Sequence, residues 1–301
     1  MRRVLVTGAS GFVGRPALGA LAARGFDVHA VARGAPDDAT PGITWHAADL
    51  LDAARRRSVL DAVGASHLLH LAWYAEPGAF WSARENAAWV AATVALVDEF
   101  ALAGGRRATL AGTCAEYDWT APGPLAEDAP LAPATYYGTC KDATRRVVEG
   151  LAAAAGLSLA WGRIFFVFGP GEDARRLVAG VARALVAGER AATSAGAQRR
   201  DFLHVDDVAG AFAALLDSPV EGAVNIASGE AASVRAVAEA LAQAAGRPDL
   251  LDVGAVPRRA GEPEEIVADV SRLRDEVGFR PRRSLSDGLA DTVRWWREVA
   301  A

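Results

Sequence analysis

A glycine-rich turn between a strand and a helix constrains this chain more than any other feature. The turn spans residues 7–14 and reads TGASGFVG; it follows an apolar run at 3–7 and opens a helical pattern. Glycines there permit a tight bend and close approach of the backbone to a pyrophosphate, and the helix start offers unpaired N–H groups to an anion. The order of strand, turn and helix therefore predicts a dinucleotide-binding loop. Its contact residues are Gly8, Ser10, Gly11, Phe12, Val13 and Gly14.

Short apolar runs alternate with helical patterns through the first half of the chain. After the first strand, the strand candidates are residues 28–31, 43–46, 67–71, 108–111 and 157–163. The helical patterns cover residues 12–24, 51–62, 84–103 and 136–155. Continuous apolar strands joined by helices indicate a parallel sheet covered on both faces, and two such units form the doubly wound dinucleotide fold.

The pattern changes after the sixth strand. A Gly-Pro-Gly break at 169–171 precedes a predicted helix over about 173–187. A strand-to-helix stretch follows at 201–217, then a short strand at 222–226, and the chain ends in a predicted helix over 286–299.

These elements predict an α/β fold with two domains. The larger is a doubly wound parallel-sheet Rossmann domain over residues 1–167, which about 201–226 would rejoin. The smaller is a C-terminal α+β substrate-binding domain made of 168–200 and 227–301.

Composition limits the partners. The net charge is −5, and the densest basic run, at residues 55–57, reads as a solvated helix face, so we expect no nucleic-acid partner. No apolar run is long enough to span a bilayer and no leader precedes the first strand, so we expect no membrane contact and a cytoplasmic protein. The two cysteines lack metal-ligand partners at useful spacing, so no metal is expected.

The end of the second strand bears on the choice of cofactor. An acidic residue there would bind the adenosine ribose of NAD, but the chain has Ala32 followed by Arg33. An arginine facing a ribose 2′-phosphate gives about 1.5–3 kcal/mol, so the sequence favours NADPH, with NAD as the other possibility. Further contacts are expected after the third and fourth strands. They are Asp49 and Leu50 at the adenine, and Leu71, Ala72 and Trp73 at the ribose-phosphate side.

Tyr137 and Lys141 lie four residues apart on a predicted helix, so the phenol and the ammonium share one face. An adjacent cation lowers the pKa of a phenol, which would tune Tyr137 for proton transfer. Thr113 ends the fifth strand, at the edge of the sheet where ligands bind. We therefore predict Thr113, Tyr137 and Lys141 as the catalytic residues.

Together these motifs resemble the extended short-chain dehydrogenases/reductases, the NAD-dependent epimerase/dehydratase group that acts on nucleotide-activated sugars. Three later segments are similar to motifs of that family, and they begin at Arg163, Arg200 and Arg259. The resemblance implies that Arg200 and Arg259 reach the substrate's pyrophosphate, as guanidinium groups suit phosphate. It also implies that the loop at 165–167 closes over the nicotinamide, and that the helices at 84–103 and 136–155 form a homodimer. The loop residues are Phe165, Phe166 and Val167.

The chain departs from the family pattern at two places. Phe166 replaces the usual Asn, and the pair Cys114-Ala115 replaces the Asp-Glu pair of the sugar-nucleotide dehydratases. Dehydration is therefore not expected, and Cys114 is predicted as a wall of the pocket. The aromatic residues at 73–81 either line the pocket or pack under their loop. The predicted substrate contacts are Trp73, Thr113, Cys114, Tyr137, Phe166, Arg200 and Arg259.

The resulting hypothesis is NADPH-dependent reduction of a keto group on a nucleotide-activated 6-deoxysugar, such as that of an NDP-4-keto-6-deoxyhexose 4-ketoreductase. The same residues allow an NAD-dependent nucleotide-sugar epimerase, which would oxidise and re-reduce its substrate on a retained cofactor. A reductase of a non-nucleotide carbonyl is also open, and it would not need Arg200 or Arg259. A dinucleotide sensor is disfavoured because such relatives lose the Tyr or Lys of the catalytic set.

Overall fold

The computed structural model describes residues 2–34, 41–259 and 261–300. Its strands are β1 Arg2–Thr7, β2 Phe26–Ala32, β3 Thr44–Ala47, β4 His67–His70, β5 Arg107–Thr113, β6 Ser158–Ile164, β7 Phe166–Phe168, β8 Ala191–Thr193, β9 Arg199–His204, β10 Gly222–Ile226, β11 Ala231–Ser233, β12 Leu251–Val253 and β13 Glu265–Ile266. Its α-helices are α1 Gly14–Ala22, α2 Ala53–Val63, α3 Glu85–Leu102, α4 Tyr136–Ala155, α5 Leu177–Val186, α6 Val205–Asp217, α7 Val234–Ala245 and α8 Leu285–Ala300. Short turns of other helix types lie at Cys114–Glu116, Pro248–Leu250 and Arg272–Glu276.

Seven strands form one parallel sheet in the order β3-β2-β1-β4-β5-β6-β10. The inner residues of the central strands, such as 4–6 and 68–69, are apolar and buried, since helices cover both faces. One core cluster packs α1 and α6 against the sheet, and another packs α2, α3 and α4 against the opposite face. The α/β fold with a doubly wound parallel sheet is confirmed.

Local signals set the helix ends. The hydroxyl of Thr135 accepts a hydrogen bond from the Gly138 N–H at 3.0 Å, so α4 begins at Tyr136 as predicted, and left-handed Gly156 ends it. Helix α1 begins two residues later than predicted. Residues 11–13 still belong to the glycine turn, because the Gly11 N–H bonds the Gly8 carbonyl at 3.0 Å.

The second half of the chain builds smaller sheets. Strand β9 pairs with β7, β11 and β13, and β8 pairs with β12. Helices α5, α7 and α8 pack with these strands in a third core cluster. Beyond residue 230, this half contains the short strands β11, β12 and β13 in addition to its helices and loops. The two-domain division itself stays a prediction.

The stretch at 201–226 was predicted to rejoin the main sheet, and only part of it does. Helix α6 packs on α1 and β10 extends the sheet beside β6. Strand β9 instead lies in the small sheet, since its sequence begins with Arg199, Arg200 and Asp201, which an apolar central strand position would not accommodate.

The sequence predicts a solvated helix face for the basic run at 55–57, and this prediction is wrong for Arg56. Arg56 is buried, and its guanidinium pairs with the Glu99 carboxylate at 2.8 Å and donates to the Leu50 carbonyl. The helix pattern alone did not show that this position turns inward. Among the described residues, no helix combines the length and the apolar character that a bilayer crossing requires.

We predict that Gly14→Ala destabilises the protein. A Cβ at Gly14 would stand 2.1 Å from the Gly8 carbonyl oxygen, a backbone atom that cannot move aside cheaply. Overpacking of this kind costs about 1–3 kcal/mol. Urea unfolding would measure the loss.

Gly19→Ala is the matched control, since it lies on the same helix and its Cβ would meet open space. There we expect a gain of about 0.5–1 kcal/mol from helix propensity. Equal stability of Gly14→Ala and the parent would contradict the tight contact between turn and helix.

Candidate active site

A cavity of about 1380 Å³ runs past the carboxyl ends of the parallel strands to the smaller sheets. Ligands bind at this edge in open α/β folds. Every site residue predicted from the sequence lies on its wall: Gly8, Ser10, Gly11, Phe12, Val13, Gly14, Arg33, Asp49, Leu50, Leu71, Ala72, Trp73, Thr113, Cys114, Tyr137, Lys141, Phe165, Phe166, Val167, Arg200 and Arg259. The structure therefore brings the set together, and the role of each stays a prediction.

The glycine turn forms one end of the cavity. Gly8 has a φ of +68°, and a Cβ there would lie 2.7 Å from the Ala72 backbone nitrogen, so only glycine fits. The first turn of α1 holds no acidic side chain that would repel a phosphate. Backbone and charge at this end suit a dinucleotide pyrophosphate.

The adenosine end is open. Arg33 follows β2 as an exposed side chain on the cavity wall, while Asp49 accepts a hydrogen bond from the Leu51 N–H at 3.0 Å and Leu50 is buried. No acidic residue ends β2, because Ala32 occupies that place. Arg33 is thus the first charged residue after β2, the strand end beside which the ribose is expected.

Thr113 and Tyr137 meet in the middle of the cavity. Thr113 is the last residue of β5, and its hydroxyl accepts a hydrogen bond from the Ala115 N–H at 3.2 Å. Loss of hydration raises the pKa of Tyr137 above its usual value, and hydrogen bonding by Thr113 and the positive charge of Arg176 oppose that rise.

Lys141 is the single lysine among the 32 lysine and arginine residues of the chain. Its Nζ donates to the Ala111 carbonyl at 2.8 Å and lies 3.8 Å from the centroid of the Trp73 ring. Burial lowers the pKa of Lys141 to about 7, against the opposing effect of the Glu116 carboxylate. The ammonium is therefore held by a carbonyl and an aromatic face.

One expectation about this pair is wrong for the structure as it stands. The sequence predicted that Lys141 lowers the pKa of Tyr137, but burial raises that pKa, and the opposing cation is Arg176. The physical reason is that the Lys141 ammonium points to Ala111 and Trp73. Helical spacing placed the two side chains on one face but did not show what each contacts.

The aromatic loop after β4 lines the cavity, which decides between the two alternatives left open by the sequence. Trp73, Tyr74, Phe80 and Trp81 all contribute to the wall. Asn86 holds the loop in place: its Oδ1 accepts from the Trp73 indole at 2.7 Å, and its Nδ2 donates to the Phe80 carbonyl at 2.8 Å. A buried asparagine thus fixes the aromatic wall.

The two arginines expected at the substrate's diphosphate differ in burial. Arg200 is buried and pairs with Glu262 at 2.8 Å, and its guanidinium carbon lies 5.6 Å from the Phe166 ring centroid. Arg259 is exposed on the cavity wall. Its neighbour in the motif, Ala260, lies outside the described residues. Both residues lie on the cavity wall.

Cys114 forms part of the wall and is buried. Burial raises the pKa of its thiol to about 12, so it stays protonated at neutral pH. With alanine following it, the position offers no general acid or base for water elimination.

Some wall residues were missed. They are Trp89, Trp119, Glu172, Arg176 and Glu262. Glu172 and Arg176 follow the Gly-Pro-Gly break, a position that could have drawn attention to them. The tryptophans carry no local pattern, and only the tertiary fold brings them to the cavity.

We predict that the Lys141 ammonium titrates near pH 7 in the cofactor-free protein. It is charged below that pH and loses its proton as the pH rises, because burial disfavours the charged form. As the chain has one lysine, ¹³Cε-lysine labelling gives a single NMR signal whose shift against pH reports this group alone. A midpoint near 10.4, the value of a solvated lysine, would contradict the burial argument.

The model of the NAD dependent epimerase/dehydratase family matches residues 4–227. UDP-glucose 4-epimerase of Azospirillum brasilense is 29% identical over 98% of this chain and 91% of its own length. dTDP-6-deoxy-L-talose 4-dehydrogenase (NAD(P)(+)) of Kitasatospora kifunensis is 29% identical over 96% of this chain and 94% of its own. The 3-diazoavenalumate denitrifying reductase of a Streptomyces species is 32% identical, with 95% of this chain and 99% of its own length covered.

Among solved structures, MoeE5 in complex with UDP-glucuronic acid and NAD is 32% identical, with a TM-score of 0.84 over 99% of each chain. The same protein is also known in complex with UDP-glucose and NAD. The cavity, the glycine turn and the family match lead to one conclusion. This chain belongs to the NAD-dependent epimerase/dehydratase family of extended short-chain dehydrogenases/reductases and is an enzyme that uses NAD(P).

Proposed function

We propose that the protein is an NAD(P)-dependent nucleotide-sugar epimerase, which inverts a carbinol carbon of the sugar by oxidation and re-reduction. The observation that supports this most directly is the meeting of Thr113 and Tyr137 beside buried Lys141, in one cavity with the glycine turn. The similarity to UDP-glucose 4-epimerases along nearly the whole chain agrees with it.

NAD(P) bound along the turn would accept and return the hydride. Tyr137 would take the carbinol proton during oxidation and give it back during reduction, while Thr113 and Arg176 oppose the rise in its pKa that burial causes. Thr113 would donate a hydrogen bond to the sugar oxygen as charge develops there. Lys141 would leave the Trp73 face to hold the nicotinamide ribose.

Epimerisation needs no separate acid and base beyond this set. The protonated thiol of Cys114 and the methyl group of Ala115 stand where dehydratases of the family have two carboxylates. Arg200 and Arg259 would hold the diphosphate while the sugar presents either face to the cofactor. A fixed diphosphate and a rotating sugar are compatible with a cavity of about 1380 Å³.

The homodimer expected from the family stays part of the proposal. Large apolar side chains remain exposed on the two helices that would form it: Leu102 at the end of α3, and Tyr136 and Val147 on α4. Helices α3 and α4 also pack on one another, so their outward faces are adjacent. The cytoplasmic location likewise stays a prediction.

Reduction by NADPH, as in a 4-ketoreductase of 6-deoxysugars, is the second candidate. It is favoured by exposed Arg33 and by the absence of an acid at the end of β2. The similarity to a dTDP-6-deoxysugar 4-dehydrogenase agrees with it. The similarity to the denitrifying reductase keeps a third candidate, reduction of a non-nucleotide substrate. Dependence on Arg200 and Arg259 would separate that one from the others.

The cofactor found with the purified protein tests the proposal. We predict retained NAD⁺ and interconversion of UDP-glucose and its 4-epimer without net consumption of cofactor, measured by chromatography of the sugar nucleotides. Tyr137→Phe should lower the rate by about 10²–10⁴, since it removes the proton donor and acceptor. An empty site together with NADPH consumption on a keto-sugar nucleotide would overturn the epimerase in favour of the reductase.

Arg33→Gln tests the cofactor preference separately. If Arg33 faces the 2′-phosphate, the variant should bind NADPH about ten- to a hundredfold more weakly while NADH binding stays the same. Fluorescence titration with both dinucleotides measures this. Equal losses for both would place Arg33 away from the 2′-phosphate, and no loss would leave the preference for NADPH without support.

A further inference from the structure

One cation at the reacting end of the cavity, Arg176, has so far been described only through its charge effect on Tyr137, and no ligand contact has been assigned to it. Arg176 precedes α5, and its guanidinium carbon lies 5.6 Å from the centroid of Phe80. The Phe80 ring in turn meets the Tyr137 ring edge to face, with centroids 5.0 Å apart. Arg176 therefore stands at the same end as Tyr137, close enough for its charge to act on the phenol.

Arg176 forms no ion pair with any described residue. Over residues 2–34, 41–259 and 261–300, no carboxylate lies within ion-pair distance of the Arg176 guanidinium. Its neighbour Arg175 is different, since it pairs with Asp173 and with Glu76, each at 2.6 Å. The two adjacent arginines thus differ: Arg175 is paired with two carboxylates and does not line the cavity, whereas Arg176 lies on the cavity wall.

Among the acidic side chains on the cavity wall, Glu172 is the nearest in sequence to Arg176, but it forms no ion pair with Arg176. Its Oε2 accepts a hydrogen bond from the Ala179 N–H at 3.2 Å, in the first turn of α5. Burial raises the pKa of Glu172 to about 8, although Arg176 opposes the rise and Asp173 adds to it. Near neutral pH Glu172 is therefore largely uncharged, and a positive charge remains.

The arginines at the other end of the cavity are already assigned. Arg200 and Arg258 contact Glu262, and Arg259 is exposed where a diphosphate is expected. A nucleotide sugar has its diphosphate at that end and its reacting ring beside Tyr137. In that arrangement an anion reaching Arg176 belongs to the sugar ring, and the anionic group that sugar rings commonly bear is a carboxylate.

We propose that Arg176 binds a carboxylate on the sugar ring, so that the enzyme acts on a nucleotide-linked uronic acid in preference to a neutral hexose. This inference rests on the proposed function and adds its substrate class. The start of α5 supports it, because a helix N-terminus favours negative charge. The centroid of the Phe80 ring lies 5.6 Å from the guanidinium carbon, a cation–π contact that leaves the hydrogen-bonding capacity of the guanidinium available to a ligand.

UDP-glucuronic acid and UDP-glucose are the matched probes, since they differ in a carboxylate against a hydroxymethyl group. Calorimetric titration of the NAD⁺-loaded protein gives the Kd of each without depending on turnover. The parent should bind UDP-glucuronic acid about tenfold or more tightly than UDP-glucose. Arg176→Gln should weaken UDP-glucuronic acid about ten- to a hundredfold and leave UDP-glucose within about twofold.

Arg175→Gln is the control, because it removes the same charge one residue away, outside the cavity, and should change neither Kd. Arg176→Lys keeps the charge without the planar fork and should restore part of the preference. Unchanged binding of UDP-glucose by Arg176→Gln shows that its weaker binding of UDP-glucuronic acid is not caused by a loss of fold.

Three results would overturn the inference. Equal weakening of both ligands in Arg176→Gln would place the diphosphate on Arg176. If the parent protein binds UDP-glucose and UDP-glucuronic acid with the same Kd, the preference for a uronic acid is contradicted while the proposed function stays intact. A parent that binds neither sugar nucleotide would remove the proposed function and the inference together.

Discussion

The buried ion pair of Glu116 and Arg163 holds the reacting end of the sheet together. Glu116 is fully buried and accepts from the Arg163 Nε at 2.8 Å, the Trp161 indole at 2.9 Å and the Thr113 N–H at 2.8 Å. These three hydrogen-bond donors come from β5 and β6, and one of them is the backbone of the residue expected to bind the sugar oxygen; Arg145 of α4 lies 3.8 Å from the same carboxylate. Removing one partner of such a pair costs about 3–5 kcal/mol because the other charge is left buried. Gly112 makes the contact possible, since a Cβ there would stand 2.0 Å from the Trp161 indole nitrogen.

The same carboxylate acts beyond the strands that it joins. Its negative charge raises the pKa of buried Lys141, against the stronger effect of burial, and so helps the amine to keep its proton near neutrality. It also raises the pKa of Tyr137. A chain that uses arginine at every other basic position keeps lysine here. An arginine stays charged even when buried, whereas a lysine amine can be brought near neutrality by its surroundings.

The sequence allowed the fold and the members of the site to be predicted, because both depend on local patterns. The glycine turn, the strand-helix alternation and the spacing of Tyr137 and Lys141 are such patterns, and α4 and β10 have the predicted bounds. The predictions that were wrong concern contacts between segments distant in sequence. Arg56 turns inward to meet Glu99 from α3, and β9 joins strands from the far end of the chain. The ammonium of Lys141 meets Trp73, and the Arg176 charge reaches Tyr137, through folding that no local spacing encodes.

The distribution of charge along the cavity has a consequence for how binding energy is used. Phe166 stands where the family has an asparagine, and the Arg200 guanidinium lies over its ring and pairs with Glu262. A diphosphate that uses Arg200 must therefore compete with a carboxylate already in place, so this contact adds less affinity than a free arginine would. Arg176 has no carboxylate at ion-pair distance in the part of the chain that the structure describes. In the proposed complex, binding energy is then concentrated at the reacting end, where the aromatic wall and Arg176 would meet the sugar. Interactions made beside the reacting carbon can differ between ground state and transition state, whereas those made at a distant diphosphate bind both equally.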